Sequence, residues 1–340
     1  MDPGKVDRAF FDEHISDRLG AERADVRLGP THGADFGVID VGDRVLALAT
    51  DPLFVLRDLP LERAAWFAFH IVVSDVALSG IPPTHLSVDF NLPPATDPAT
   101  FATIWDVFDR EARELGISVV TGHTGAYAGT AFPTIGGATG IAVGDPADLV
   151  LPTGATAGDA VVVTKGPAIE TTAVLATVFG DHLDLPSDVV ADARARFDEM
   201  TPVHDALTAA AAAPVTAMHD ATEGGIENAL VELATASDVG LSVRRDRFPV
   251  GEGVAAVCEY FDVDPWVASS EGTVVLTVDP AGVEALLDAL DAEGIRAAPV
   301  GEVTDGSGVT MDGTRIDAPE RDPFWPAYER AREAFGPPGE

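Results

Sequence analysis

Several short phrases in this chain combine charge, glycine and position in a way that could do chemistry. Asp35 stands in Gly33-Ala-Asp-Phe-Gly, just before an apolar run, and Asp51 follows one in Ala49-Thr-Asp-Pro. Asp75 lies in Val73-Ser-Asp-Val-Ala, inside an otherwise apolar stretch. A carboxylate there is costly unless it is paired or bound to a cation. Mg²⁺ takes oxygen ligands from a few carboxylates, phosphates and water, so three acids converging from separate elements would suit it. As alternatives, Asp35 and Asp51 could be turn residues, and Asp75 could cap or kink its helix.

A second phrase, Val163-Thr-Lys165-Gly166-Pro, runs from a strand through a turn into a helix. Backbone N–H groups at a helix start favour anions, and Lys165 would add a positive charge; a solvated lysine in a plain connection is the other reading. A third, Met218-His219-Asp220-Ala-Thr222-Glu-Gly224-Gly225, ends a strand in polar groups and enters a helix through two glycines. That suits a phosphate or oxyanion rest, or simply a capped helix. Glu271, in Ser270-Glu-Gly272, precedes a strand. His123, in Thr121-Gly-His-Thr-Gly125, could be a base, a metal ligand or a satisfied loop imidazole.

Periodicity supplies the elements that must position these groups. In the first half it predicts an amphipathic helix over 6–19, a hairpin over 36–51 turning at Gly42-Asp43, and a helix opened by Pro60 and Glu62. A strand over 85–92, a helix over 99–115, a short strand over 117–121 and a glycine-loosened strand over 133–143 follow. Turn-rich sequence between Gly144 and Asp159 predicts a boundary, giving domains 1–150 and 151–340. The second half alternates strands near 160–164, 215–218, 239–244, 273–278 and 297–303 with helices near 168–180, 187–199, 203–212, 225–236, 253–261, 281–293 and 323–334. Two α+β domains result.

Bulk properties narrow the function. The 340 residues are 46% hydrophobic, enough for real cores. No stretch reaches the ~18–20 apolar residues that span a bilayer, and Met1-Asp-Pro-Gly-Lys-Val lacks the pattern of a signal peptide. The single cysteine, Cys258, excludes an internal disulfide and Cys-rich metal sites. Against 56 acidic residues stand 21 basic ones, a net charge of −35. Such a field repels nucleic acid and anionic membrane. Its even spread fits a cytoplasmic protein of a salt-loving cell, where ions screen dense negative charge. The P-loop, Gly-x-Gly-x-x-Gly, His-Glu-x-x-His and Gly-x-Ser-x-Gly motifs are absent.

Taken in order, the phrases resemble the AIR synthase superfamily, and within it the HypE branch, over roughly residues 30 to 305. Gly33-Ala-Asp-Phe-Gly-Val-Ile is similar to the family's Gly-Asp-Asp-Ala-Ala-Val-Ile, and Val73-Ser-Asp-Val-Ala-Leu-Ser-Gly to its Asn-Asp-Leu-Ala-x-x-Gly. Gly122-His-Thr-Gly sits where relatives carry Gly-Asp-Thr; His219-Asp-Ala-Thr-Glu-Gly-Gly resembles His-Asp-x-Thr-x-Gly-Gly. Ser270-Glu-Gly resembles the x-Glu-Gly phrase, and Val257-Cys-Glu-Tyr-Phe-Asp-Val-Asp-Pro a HypE phrase, which makes Cys258 structural.

The resemblance implies a homodimer whose N-terminal sheets join into a barrel, with a C-terminal α/β sandwich domain. ATP and Mg²⁺ would lie in a cleft between the domains. Asp35, Asp51 and Asp75 would hold metal; Lys165, Gly166, Thr222, Gly224, Gly225 and Glu271 would line the nucleotide; His123, His219 and Asp220 would handle protons or touch a small-molecule substrate. Three departures stand out: Ala34 replaces an acid, His123 replaces an aspartate, and the tail Ala334-Phe-Gly-Pro-Pro-Gly-Glu lacks the cysteine that HypE uses. The expectation is therefore an ATP-dependent enzyme that activates or phosphorylates a small substrate without carbamoyl-carrier chemistry. The alternatives are a kinase like the thiamine-monophosphate enzyme, or a silent ATP-binding dimer in hydrogenase maturation.

Overall fold

The computed structural model describes residue 6 and residues 8–336. The expectations about the first five residues and the last four lie outside the described residues. In chain order the first half forms α1 (Arg8–His14), β1 (Val26–Leu28), β2 (Gly37–Val41), β3 (Arg44–Phe54), α2 (Leu61–Ala77), β4 (Pro83–Leu92), α3 (Pro98–Glu114), β5 (Ser118–Ala126) and β6 (Thr134–Gly144). The second forms β7 (Ala160–Thr164), α4 (Ile169–Phe179), α5 (Ser187–Ala195), α6 (Val203–Ala212), β8 (Val215–Asp220), α7 (Gly225–Ala236), β9 (Gly240–Val243), α8 (Glu252–Phe261), β10 (Val274–Val278), α9 (Val283–Ala292), β11 (Ala297–Thr304), β12 (Gly308–Met311), β13 (Thr314–Ile316) and α10 (Phe324–Phe335).

Two sheets organise these elements. One has six strands in the order β1-β2-β3-β6-β4-β5, the other seven in the order β13-β12-β9-β11-β7-β10-β8. Pairing is antiparallel except for β4 with β5 and β9 with β12. The hairpin β2–β3 turns at Gly42, whose φ of 65° favours a residue without a Cβ. Helix α2 is buried almost all round, including Phe67, Phe69, Val72, Val73 and Val76. It is held between the first sheet and elements of the second half, and each such side chain contributes about 1.5–3 kcal/mol. One core cluster joins Phe69, Phe90 and Phe108 of the first half to Phe179, Phe197 and Phe324 of the second. At the same seam the buried Thr201 hydroxyl meets His70 Nδ1 at 2.9 Å.

The observed elements differ from expectation in four places. The first helix is a seven-residue piece with no buried residue, and Val6, Ile15 and Leu19 are exposed. Strand β3 runs on through Asp51 to Phe54, so Asp51 is a strand residue and not the turn after one. Strand β5 extends through His123 to Ala126, paired in parallel with β4, so His123 is not in a loop. Strand β1 and the β12–β13 hairpin are too short, at 3–4 residues each, to show a period.

Candidate functional site

The chain brings its acids together at the seam between the halves. Asp35 arrives on the loop before β2. That loop presses on α7: at Gly33, with φ 73°, a Cβ would lie 2.5 Å from the Glu232 carbonyl oxygen. Only glycine permits this approach, and it carries Asp35 to the buried end of β8. There His219 Nε2 lies 3.4 Å from Asp35 Oδ2 and 3.3 Å from Glu232 Oε2. His219 Nδ1–H donates to the Asp220 backbone carbonyl at 2.7 Å, and Asp220 Oδ1 lies 3.4 Å from the same nitrogen. His219 and Asp220 are each 1% exposed. Burial alone would depress the imidazolium, but the carboxylates of Asp35, Asp220 and Glu232 outweigh it and hold the His219 pKa well above its ordinary value.

A second group of acids adjoins this one. Glu271 is 3% exposed, in the turn before β10. Burial, then the charges of Asp220 and Glu170, push its carboxyl far above the usual range; Ser74 of α2 opposes the shift and Asp51 of β3 adds to it. Glu170, in the first turn of α4, accepts the Glu271 backbone N–H at 3.4 Å. Burial first, then the charge of Asp322, raise its pKa to about 8. Glu271 Oε1 and both Asp220 carboxylate oxygens accept no hydrogen bond. Buried oxygens left this way demand a proton or a cation, and an all-oxygen donor set fits the hard Mg²⁺ ion.

The other expected site residues sit as follows. Asp75 is half-buried on α2, one residue past Ser74. Among the described residues, the group of three whose potential ligand atoms all fall within 4.8 Å of one another is Asp35, His219 and Asp220; Asp51 and Asp75 are not part of it. Lys165 does not offer a spare charge. Its ammonium donates to Asp205 Oδ2 at 2.7 Å and faces the carbonyls of Thr201, Gly272 and Glu199 at 2.8 to 3.1 Å. Gly166 is pressed against Pro249, where a Cβ would meet the carbonyl oxygen at 1.8 Å. The amides at the start of α7 are also engaged: Gly224 N–H donates to Asp322 Oδ2 at 2.8 Å and Gly225 N–H to the Thr222 carbonyl at 3.0 Å. An internal carboxylate thus occupies the place expected for a phosphate. His123 is exposed on β5, its Nε2 2.6 Å from Tyr127 Oη. Two strands, β6 and β4, separate β5 from the strand of Asp51, a span of about 14 Å.

Sequence reasoning missed Glu170, Glu232 and Asp322. Each has an ordinary local disguise: an acid in a helix's first turn, one on a helix flank, and one in the turn before α10 whose Oδ1 accepts Phe324 N–H at 2.8 Å. No local signal separates these from the many surface acids of this chain.

Residues 33–142 match the N-terminal domain of AIR synthase related protein, and residues 156–313 its C-terminal domain. The chain is 29% identical over 279 residues to the carbamoyl dehydratase HypE of Rhizobium leguminosarum bv. viciae, covering 80% of this chain and 77% of that protein. Its fold is similar to that of hydrogenase maturation protein HypE in complex with ATP, with a TM-score of 0.68 at 23% identity over 93% of each chain. It is equally similar to AaThiL complexed with AMPPCP and TMP, with a TM-score of 0.68 at 19% identity over 85% of this chain and 90% of that one. With both family domains matched in order and the two-domain α+β fold shared almost end to end, the chain belongs to the AIR synthase related family.

Proposed function

We propose that this protein is an ATP- and Mg²⁺-dependent homodimeric enzyme that phosphorylates a small cytoplasmic substrate or activates it by phosphoryl transfer. The observation that carries this reading is the buried carboxylate group at the seam, with Asp220 and Glu271 oxygens that accept no hydrogen bond. Asp51, Asp220 and Glu271 would hold the metal, with Asp75 beside Ser74 as a further oxygen donor. Bound there, Mg²⁺ would neutralise the charge of a triphosphate. The chain's own part is to fix those oxygens on three separate elements and to keep water from them. The relatives' association with ATP and AMPPCP supports the nucleotide.

Cys258 takes no part as a nucleophile. It is 2% exposed, and burial pushes its thiol up to about 12. The edge strand β5 supports the dimer: nearly all its positions are exposed, Val119 and Val120 among them, and a long bare edge invites a partner strand.

Calorimetry of ATP binding with and without Mg²⁺ tests the proposal, followed by turnover assays over small acceptors that include thiamine monophosphate. Mg²⁺-dependent binding should weaken sharply in Asp51→Asn and Asp220→Asn. Unchanged binding in both variants would remove the metal role. Binding without turnover on any acceptor would favour the silent-dimer alternative.

A further inference from the structure

We propose that helix α10 is a tie-bar across the seam, with Asp322 and Asp58 as the positioning residues that set how far apart the acids of the two halves stand. That role rests on the function proposed above; the tie itself does not. Asp51 belongs to β3 of the first half, Asp220 and Glu271 to the second, and the charge of Asp51 reaches Glu271 across the seam. Oxygens that are to share one ion must be held at a fixed spacing. At its start, α10 is keyed into the second half. Asp322, in the turn before the helix, accepts Gly224 N–H at 2.8 Å and the Ser269 hydroxyl at 2.7 Å through Oδ2, and Phe324 N–H at 2.8 Å through Oδ1. Gly224 follows Asp220 by four residues, and Ser269 precedes Glu271 by two. One carboxylate therefore clamps both segments that carry the second half's acids, through hydrogen bonds that its charge strengthens.

Further along, the same helix grips the first half. Tyr328 and Arg332 stand four residues apart, on one helix face. The Tyr328 hydroxyl donates to Asp58 Oδ2 at 2.5 Å, and Arg332 Nε lies 3.2 Å from the same oxygen. Burial and the Asp58 charge push the Tyr328 phenol up, so it stays a donor. The Asp58 side chain is only 13% exposed, which makes this grip stronger than a surface pair. Trp325 meets Phe54 edge-on, with ring centroids 5.6 Å apart. Phe54 closes β3 three residues past Asp51, and Asp58 stands four further on. Both grips thus land within seven residues of an acid of the site. A helix that only covered apolar surface would need no carboxylate at either end.

The experiment is hydrogen exchange of the full chain, read by mass spectrometry without nucleotide or metal, in wild type, Asp58→Ala and Asp322→Ala. Asp58→Ala should speed exchange about tenfold in 221–225 and 269–273, and Asp322→Ala should do the same in 52–59. Faster exchange confined to α10 and the mutated side would overturn the tie-bar, because a helix that merely packs transmits nothing across the seam. Asp322→Asn keeps an acceptor oxygen for Gly224 and Ser269 and should recover most of the lost protection. The double variant should lose little beyond the larger single loss, since releasing either end frees the bar; additive losses would overturn it as well. Should Asp322→Ala not fold, Tyr328→Phe decides: it keeps the ring and removes only the hydroxyl, and unchanged exchange in 269–273 refutes the tie. In calorimetry with Mg²⁺ and ATP, Asp58→Ala should bind about tenfold more weakly. Unchanged affinity beside faster cross-seam exchange would refute the positioning role. Absence of binding in wild type would remove the function proposed above and leave the exchange result to decide the tie-bar.

Discussion

At Glu170, burial and neighbouring charge act in the same direction, and the consequence can be measured. Its carboxyl, raised to about 8, keeps a proton in the folded chain at a pH where the unfolded chain has lost it. Folding then takes up a proton, so stability falls as pH rises from the ordinary value of 4.5 to about 8 and levels off beyond. In the metal-free protein, the melting temperature should therefore drop between pH 5 and pH 8. Glu170→Gln should flatten that slope and melt higher than wild type above pH 8. Scanning calorimetry across this range checks it; a parallel slope in the variant would show that Glu170 is not the cause. Lys165 offers a second residue-level test. Its buried pair with Asp205 should cost about 3–5 kcal/mol when broken on one side only. Lys165→Met should thus lose stability in denaturant titrations, and adding Asp205→Leu should recover much of it. If the restored double variant loses ATP binding, Lys165 has a nucleotide role that its four contacts do not suggest.

Elements decide how these residues meet. The loop carrying Asp35 reaches α7 only because Gly33 has no side chain, with φ at 73° and a backbone oxygen 2.5 Å from where a Cβ would stand. Gly33→Ala should push loop and helix apart and lower stability by about 1–3 kcal/mol, read as a lower midpoint in denaturant titration. An unchanged midpoint would mean that the loop yields without cost. Strand β5 carries the other element-scale expectation. Its exposed valines, with Val120 at 55% exposure, should lie in the contact if the proposed dimer forms through this edge. Val120→Lys should shift the protein to monomer in light scattering while leaving the far-ultraviolet spectrum unchanged; a persistent dimer would place the interface elsewhere.

For the whole molecule, the ruling quantity is the charge of −35 on 340 residues. Like charges across the surface repel, and that repulsion reaches about 10 Å at 0.1 M salt but only about 3 Å at 1 M. Melting temperature should rise as KCl goes from about 0.1 M to 1 M. A flat or falling curve would mean that ion pairing within the chain already balances the repulsion. The acid-rich seam between the halves lies inside this field, so screening and cation binding should act together there. No helix among the described residues is long and apolar enough to cross a membrane.

Local order was already written in the chain. Apolar periods marked α2, α3, α7 and the strand pair β2–β3, because 3.6- and 2-residue repeats report one buried face without reference to anything distant. The phrases around Asp35, His219 and Glu271 stood out only when taken together and in order, since glycine beside acid at an element's end is by itself also the chemistry of a turn or a cap. Tertiary structure alone decided which of these acids touch. Glu232 and Asp322 joined the site from a helix flank and a turn, and Lys165 turned inward to Asp205, 40 residues away. Such encounters depend on how two sheets and their helices pack, a distance relation that no pattern along a single chain encodes.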